Sequence, residues 1–267
     1  AGGNRMVLGY SGTSWEPTFI AHEMGHCMGL DHSWSANPDT VYGDRWDIMS
    51  AMNVWTFQSN YGAPAGPGLN APYLRKLASI PSSRIWMPNK STPIATVTLA
   101  ALSEPQAPGF LVVEVPPKFL RPQQDVTYSV EFRGRQGWDK GIPTDTVLIH
   151  ETRSNGFSYL LSPQLVIGSG ASFTTPSGDL KVRLISIDPL QVTATVEIET
   201  HPLVEPARCV EIRREIVALR AEIVSLQEEL KTAAPGEKPG LAAAIRNLQR
   251  QIRELHDEGR NLGCMLD

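Results

Sequence analysis

The stretch His22-Glu23-Met24-Gly25-His26-Cys27-Met28-Gly29-Leu30-Asp31-His32 limits what this chain can fold into more than any other part of it. On an α-helix, residues i and i+4 share a face about one turn apart, so His22 and His26 can offer two imidazole nitrogens to one metal ion. Glu23 lies beside them and can take a proton from a water on that metal without being a ligand, the division of labour of zinc-dependent peptide hydrolysis. Gly29 tolerates the positive φ needed to end the helix and turn the chain back. His32 can then return as the third ligand. By average residue frequencies, the five fixed positions of such a pattern would coincide by chance on the order of once in 100,000 chains of this length. The other three histidines, His150, His201 and His256, are scattered and read as ordinary strand, linker or surface residues.

These residues resemble the extended zinc motif of the metzincin metallopeptidases, in which a methionine-bearing turn follows beneath the metal. The resemblance assigns that turn to Asp47-Ile48-Met49-Ser50 and implies that Met49 packs under the three imidazoles. Some metzincins place a tyrosine two residues beyond the methionine; this chain has Ala51 there. The run Gly137-Trp138-Asp139-Lys140-Gly141-Ile142-Pro143 is loosely similar to microbial secreted metallopeptidases of the gametolysin-like kind, which implies protein or cell-wall glycoprotein substrates. Metzincins carry an upstream subdomain that forms the upper lip of the cleft. Only 21 residues precede His22, enough for a strand over Arg5–Tyr10, so the catalytic domain is expected to be N-terminally incomplete. The helix is expected to begin near Pro17, since proline is tolerated in a first turn.

A length of 267 residues, 41% of them hydrophobic, allows two or three domains with their own cores. The net charge of -4 gives no reason to expect a nucleic acid or a membrane surface as partner. No apolar run approaches the roughly 18 residues of a bilayer span. Asp39, Asp44 and Asp47 match no defined calcium loop. Residues 33–40 read as a loop, and Asn70 as the cap of a helix over Ala71–Ser79.

From Thr92 to about Thr200, seven short alternating or β-branched runs recur between turn residues: 94–102, 110–115, 126–132, 146–150, 157–161, 180–187 and 192–198. They argue an antiparallel β-sandwich. Tyr128, Glu131, Arg133, Trp138 and Asp139 either form a recognition surface on it or belong to a purely structural brace.

The last sixty or so residues carry a heptad seam, Ile212, Ile216, Leu219, Ile223, Leu226 and Leu230, resumed by Leu241, Ile245, Leu248, Ile252, Leu255 and Leu262 after a Pro/Gly loop. Pairing Ile212 with Leu262, Leu219 with Leu255 and Leu226 with Leu248 keeps the residue-number sum constant, as an antiparallel hairpin requires. The same register brings Cys209 to Cys264, a disulfide that implies an oxidising compartment. Cys27, inside the zinc helix, reads as a small buried apolar residue. The hairpin is either self-contained or a surface for self-association or a protein partner through residues 208–264.

The expected architecture is thus multidomain α+β: a partial metzincin-like catalytic domain over 1–90, a β-sandwich over 91–203 and an antiparallel coiled-coil hairpin over 204–267. The expected function is that of a secreted zinc endopeptidase acting on protein or peptide substrates, with Zn2+ on His22, His26 and His32, Glu23 as general base, and Gly29 and Met49 supporting the site. The alternative is a non-catalytic secreted binding or adhesion protein whose zinc site is vestigial.

Overall fold

A computed structural model describes residues 15–36, 39–51, 54–89, 93–120, 125–165, 171–200 and 207–262, without the side chains of 163, 164, 207, 261 and 262. The expected strand over Arg5–Tyr10 lies outside the described residues. The chain divides into two compact units, one of Ala1–Leu120 with Gln124–Pro202 and one that takes in Leu203–Asp267.

The first unit is mixed α and β. Its helices are α1 (Pro17–Cys27) and α2 (Ala71–Lys76). Its strands run in chain order as β1 (Trp34–Ala36), β2 (Asp39–Val41), β3 (Phe57–Gln58), β4 (Pro64–Ala65), β5 (Ile85–Trp86), β6 (Ile94–Ala100) and β7 (Val112–Val115). Then follow β8 (Val126–Arg133), β9 (Thr146–Arg153), β10 (Ser158–Leu165), β11 (Ser172–Thr174), β12 (Leu180–Asp188) and β13 (Thr193–Thr200). Each of the seven alternating runs contains a strand. The segment read as a loop over 33–40 instead holds the β1–β2 hairpin, paired Trp34 to Val41 and Ala36 to Asp39.

A seven-stranded sheet has the order β2-β1-β10-β9-β8-β7-β5, and a four-stranded sheet the order β11-β12-β13-β6. The alternation in Thr193-Ala194-Thr195-Val196-Glu197-Ile198 turns Ala194, Val196 and Ile198 inward, all at most 1% exposed. They join Val113, Val130, Phe132, Val147 and Ile149 of the larger sheet in one hydrophobic cluster. Each such aliphatic side chain contributes about 1.5–3 kcal/mol by leaving water.

The boundary expected at residue 90 does not interrupt the packing. β1 pairs in parallel with β10, and β5 in parallel with β7, so strands from both expected domains share one sheet. Sequence alternation sees a strand but not its partner across more than a hundred residues, which is why one unit was divided in two. Of the two readings of Tyr128, Glu131, Arg133, Trp138 and Asp139, the structural one fits: all are buried except Trp138, which is exposed.

The second unit contains α3 (Ala207–Thr232) and α4 (Lys238–Leu262), packed together. Arg208 near the start of α3 pairs with Glu258 near the end of α4 at 2.8 Å, so the helices run antiparallel. Leu219 and Leu255 line one crevice between them, in the expected register. Ile212, Ile216, Ile245 and Leu248 are buried, as the seam requires. Cys209 is buried too, while Cys264 lies outside the described residues. No described helix is long and apolar enough to cross a membrane.

Candidate metal centre

α1 starts with Pro17 in its first turn, where the missing N–H has no helical partner to lose. It ends in a Schellman motif: Leu30 N–H donates to Gly25 O and Gly29 N–H to His26 O, both at 3.0 Å, with Gly29 at φ +83°. Gly29 therefore does what the sequence suggested, and the reversal carries His32 back over the helix.

There the three histidines meet. His26 Nε2 is 3.1 Å from His22 Nε2 and 3.0 Å from His32 Nε2. Three nitrogens at zinc distance in a tetrahedron would be about 3.3 Å apart; both separations from His26 are close to that, and all three ligand atoms lie within 4.8 Å of one another. The tautomers agree with that role. His22 Nδ1 bonds Ile48 O and His26 Nδ1 bonds Leu30 O, each at 2.8 Å. A carbonyl can only accept, so both Nδ1 atoms carry the proton and both Nε2 atoms keep a lone pair for a metal. Burial, with the neighbouring imidazoles adding to it, lowers the pKa of both His22 and His32, which keeps the rings neutral as ligands must be. Backbone acceptance from Ile48 partly offsets this at His22. Glu23 is half-buried, and its charge acts on both His22 and His32.

Met49 is completely buried and packs with Leu30, Ile48 and Tyr73. A Cβ at Gly25 would come within 2.2 Å of Met49 Sδ. Glycine between the two helical histidines thus lets the methionine lie against α1. The turn is tied to both ends of the motif, since Ile48 O accepts from His22 and Met49 O accepts from Ser33 N–H at 3.0 Å. Thr18 Oγ1 anchors α1 by donating to Pro64 O and Gly66 O. At Gly66, with φ +80°, a Cβ would lie 2.2 Å from Trp138 O, so no side chain fits. The Gly137–Pro143 run therefore braces the loop that holds α1.

Beneath this lies a buried ionic network. His150 Nε2 donates to Asp44 Oδ2 at 2.9 Å, and His150 Nδ1 is 3.6 Å from Glu131. Burial opposes the charge on His150, but Glu131 and Asp44 outweigh it and raise its pKa. Burial likewise opposes Asp44 ionisation, and His150 overcomes it and holds that carboxyl low. Arg133 bridges Glu131 at 3.1 Å and Asp139 at 2.5 Å. Asn70 caps α2 by accepting from Tyr73 N–H, donates its own N–H to Asp47 Oδ1, and donates through Nδ2 to Asp44 and Ser158. Tyr73 Oη in turn donates to His32 O at 2.9 Å. Burial and the nearby Asp44 push the Asp47 carboxyl up to about 8.

His150 is a strand residue, as expected, but not an ordinary or exposed one: it sits buried in β9 as a charge partner. Asp44 and Asp47 belong to this network and Asp39 pairs with Arg153 at 2.9 Å, so the three aspartates form no calcium loop. Helix α2 is shorter than expected, ending at Lys76.

One contact was not foreseen from the sequence. Tyr42 Oη lies 3.1 Å from His32 Nε2, with the two ring centroids 4.2 Å apart. No family model, curated protein or solved structure matches this chain.

Proposed function

We propose that the chain is a zinc endopeptidase of the metzincin kind, hydrolysing peptide bonds of extracellular proteins. The observation that carries the reading is the convergence of three imidazoles, with His26 Nε2 3.0–3.1 Å from each of the other two Nε2 atoms, all three ligand atoms within 4.8 Å of one another, and two of the rings with their Nδ1 protons committed to backbone carbonyls. Bound there, zinc supplies Lewis acidity toward a water and toward the scissile carbonyl. Glu23 accepts the proton as the water oxygen bonds to the carbonyl carbon, and delivers it to the leaving amine as the C–N bond breaks. His22, His26 and His32 are the ligands, fixed in orientation by Ile48 O, Leu30 O and the Tyr73 hydroxyl on His32 O. Gly29 and Met49 support them from the turn and from below.

In this reading the two sheets are the leaves of a sandwich that braces the metal helix. The helical hairpin is a coiled coil closed by a Cys209–Cys264 disulfide, consistent with secretion. A thiol count on unreduced protein then finds Cys27 alone, and two further thiols would refute the bridge.

The test is Glu23→Gln. Cleavage of a denatured protein by zinc-loaded enzyme is expected to fall by about 10²–10⁴-fold while zinc remains bound. Undiminished cleavage by the variant would reject the mechanism. A zinc-loaded wild type that cleaves nothing, with or without added upstream sequence, would favour a binding or adhesion protein instead.

A further inference from the structure

We infer that Tyr42 supplies a fourth protein donor to the metal held by His22, His26 and His32, an assignment that rests on the zinc reading above. Tyr42 belongs to neither the histidine motif nor the methionine turn. It follows directly on β2, at the end of the β1–β2 hairpin, and its φ of +62° lies in the left-handed region that a bulky residue rarely enters. The hairpin holds it there. Tyr42 N–H donates to Ser33 O at 2.9 Å and Gly43 N–H to Thr40 O at 3.2 Å. Gly43 presses on Ser35 so closely that a Cβ would sit 2.2 Å from its Oγ and 2.7 Å from its backbone nitrogen. The neighbours over-determine an unfavourable conformation, and its effect is to aim the phenol at the imidazoles.

The distance then discriminates between roles. Tyr42 Oη is 3.1 Å from His32 Nε2, the spacing at which His26 Nε2 stands from the other two ligand nitrogens. A neutral imidazole nitrogen has one in-plane lone pair. His32 Nε2 cannot accept the phenolic proton and ligate a metal at once. When a metal takes that lone pair, the hydrogen bond must go, and the phenol oxygen is left beside a ligand nitrogen with its own lone pairs free. Ligation there, with the phenolic proton released to solvent, would give three nitrogens and one oxygen as protein donors, and the water of the proposed hydrolysis would enter as a fifth donor, a number zinc reaches in catalytic sites. The Tyr42 ring still lies over His32 at 4.2 Å, so the aromatic contact does not depend on the hydroxyl.

Copper(II) loaded into the whole chain in place of zinc gives a spectroscopic answer independent of activity. Nitrogen hyperfine structure in the electron paramagnetic resonance spectrum reports the imidazoles, and a phenolate-to-copper charge-transfer band in the visible spectrum reports Tyr42. The wild type is expected to show both. Tyr42→Phe, which keeps the ring, is expected to lose the band, retain the hyperfine structure, and release zinc to a competing chelator with affinity lower by roughly tenfold or more. Imidazole signals without the band in the wild type, or a band that persists in Tyr42→Phe, would overturn the role of Tyr42 and leave the zinc site standing. Copper bound without imidazole signals would overturn the site and the role together.

Discussion

Helix α1 and the α3–α4 hairpin are held by opposite means. α1 buries few residues, and those are Thr18, His22 and Gly25. Its place is set by directed hydrogen bonds to carbonyls of Ile48, Pro64 and Gly66 and by the close approach of Met49. The hairpin keeps its register through a repeating apolar seam, with Ile212 and Ile216 buried in α3 and Ile245 and Leu248 in α4. Hydrogen bonds specify angle and distance to a few tenths of an ångström, which a metal site requires. An apolar seam specifies which residues face inward and tolerates adjustment. The region proposed to handle chemistry is thus the one with polar anchoring.

That contrast can be broken most forcibly at Arg133. Replacing it by methionine leaves Glu131 and Asp139 buried without their cation, and the first unit is expected to lose about 3–5 kcal/mol in denaturant unfolding. A loss under 1 kcal/mol would mean that the ionic network holds little. Asp139 also accepts from Gly68 N–H, so the variant should loosen the loop that anchors Thr18 and weaken zinc retention as well.

The matching change in the hairpin is Ile216→Ala, expected to cost about 2–4 kcal/mol through the cavity it opens. Its effect should appear as loss of helical signal, with zinc uptake unchanged. Zinc uptake that falls in step would contradict the separation of the two units.

Asp47→Asn acts on pH dependence more than on stability at any one pH. The folded Asp47 carboxyl is pushed from its ordinary 3.8 up to about 8. Between those values the folded chain holds a proton that the unfolded chain has released, so stability contributed by this group falls as pH rises through that window. His150, whose pKa is also raised, loses its contribution in the same direction as pH climbs through its folded value. Asparagine at 47 should flatten the slope of melting temperature against pH across this range. An unaltered slope would show that Asp47 ionises normally.

Legibility in the sequence followed the distance between interacting residues. The ligand set, Gly29, the start of α1 and the helical seam depend on neighbours a few residues away, and local periodicity displays them. The metal-site supports do not. His150 meets Asp44 across 106 positions and Gly68 meets Asp139 across 71, separations that no local pattern registers. The merging of the expected first and second domains has the same cause, because β1 reaches its partner β10 over more than a hundred residues. Tyr42 was hidden differently: its role comes from a backbone conformation that residue type argues against. Gly25 carried a faint signal, as a glycine between two ligands in a helix disfavours that helix unless something must approach closely.

The central claim is that the three converged imidazoles hold a zinc ion that the peptidase chemistry needs. Metal analysis of the whole chain after exhaustive dialysis against metal-free buffer tests it most directly, performed on the wild type and on His26→Ala. The account predicts one zinc per wild-type chain and none retained by His26→Ala, with helical content unchanged in both. Equal zinc in the two proteins, or none in the wild type, would contradict it.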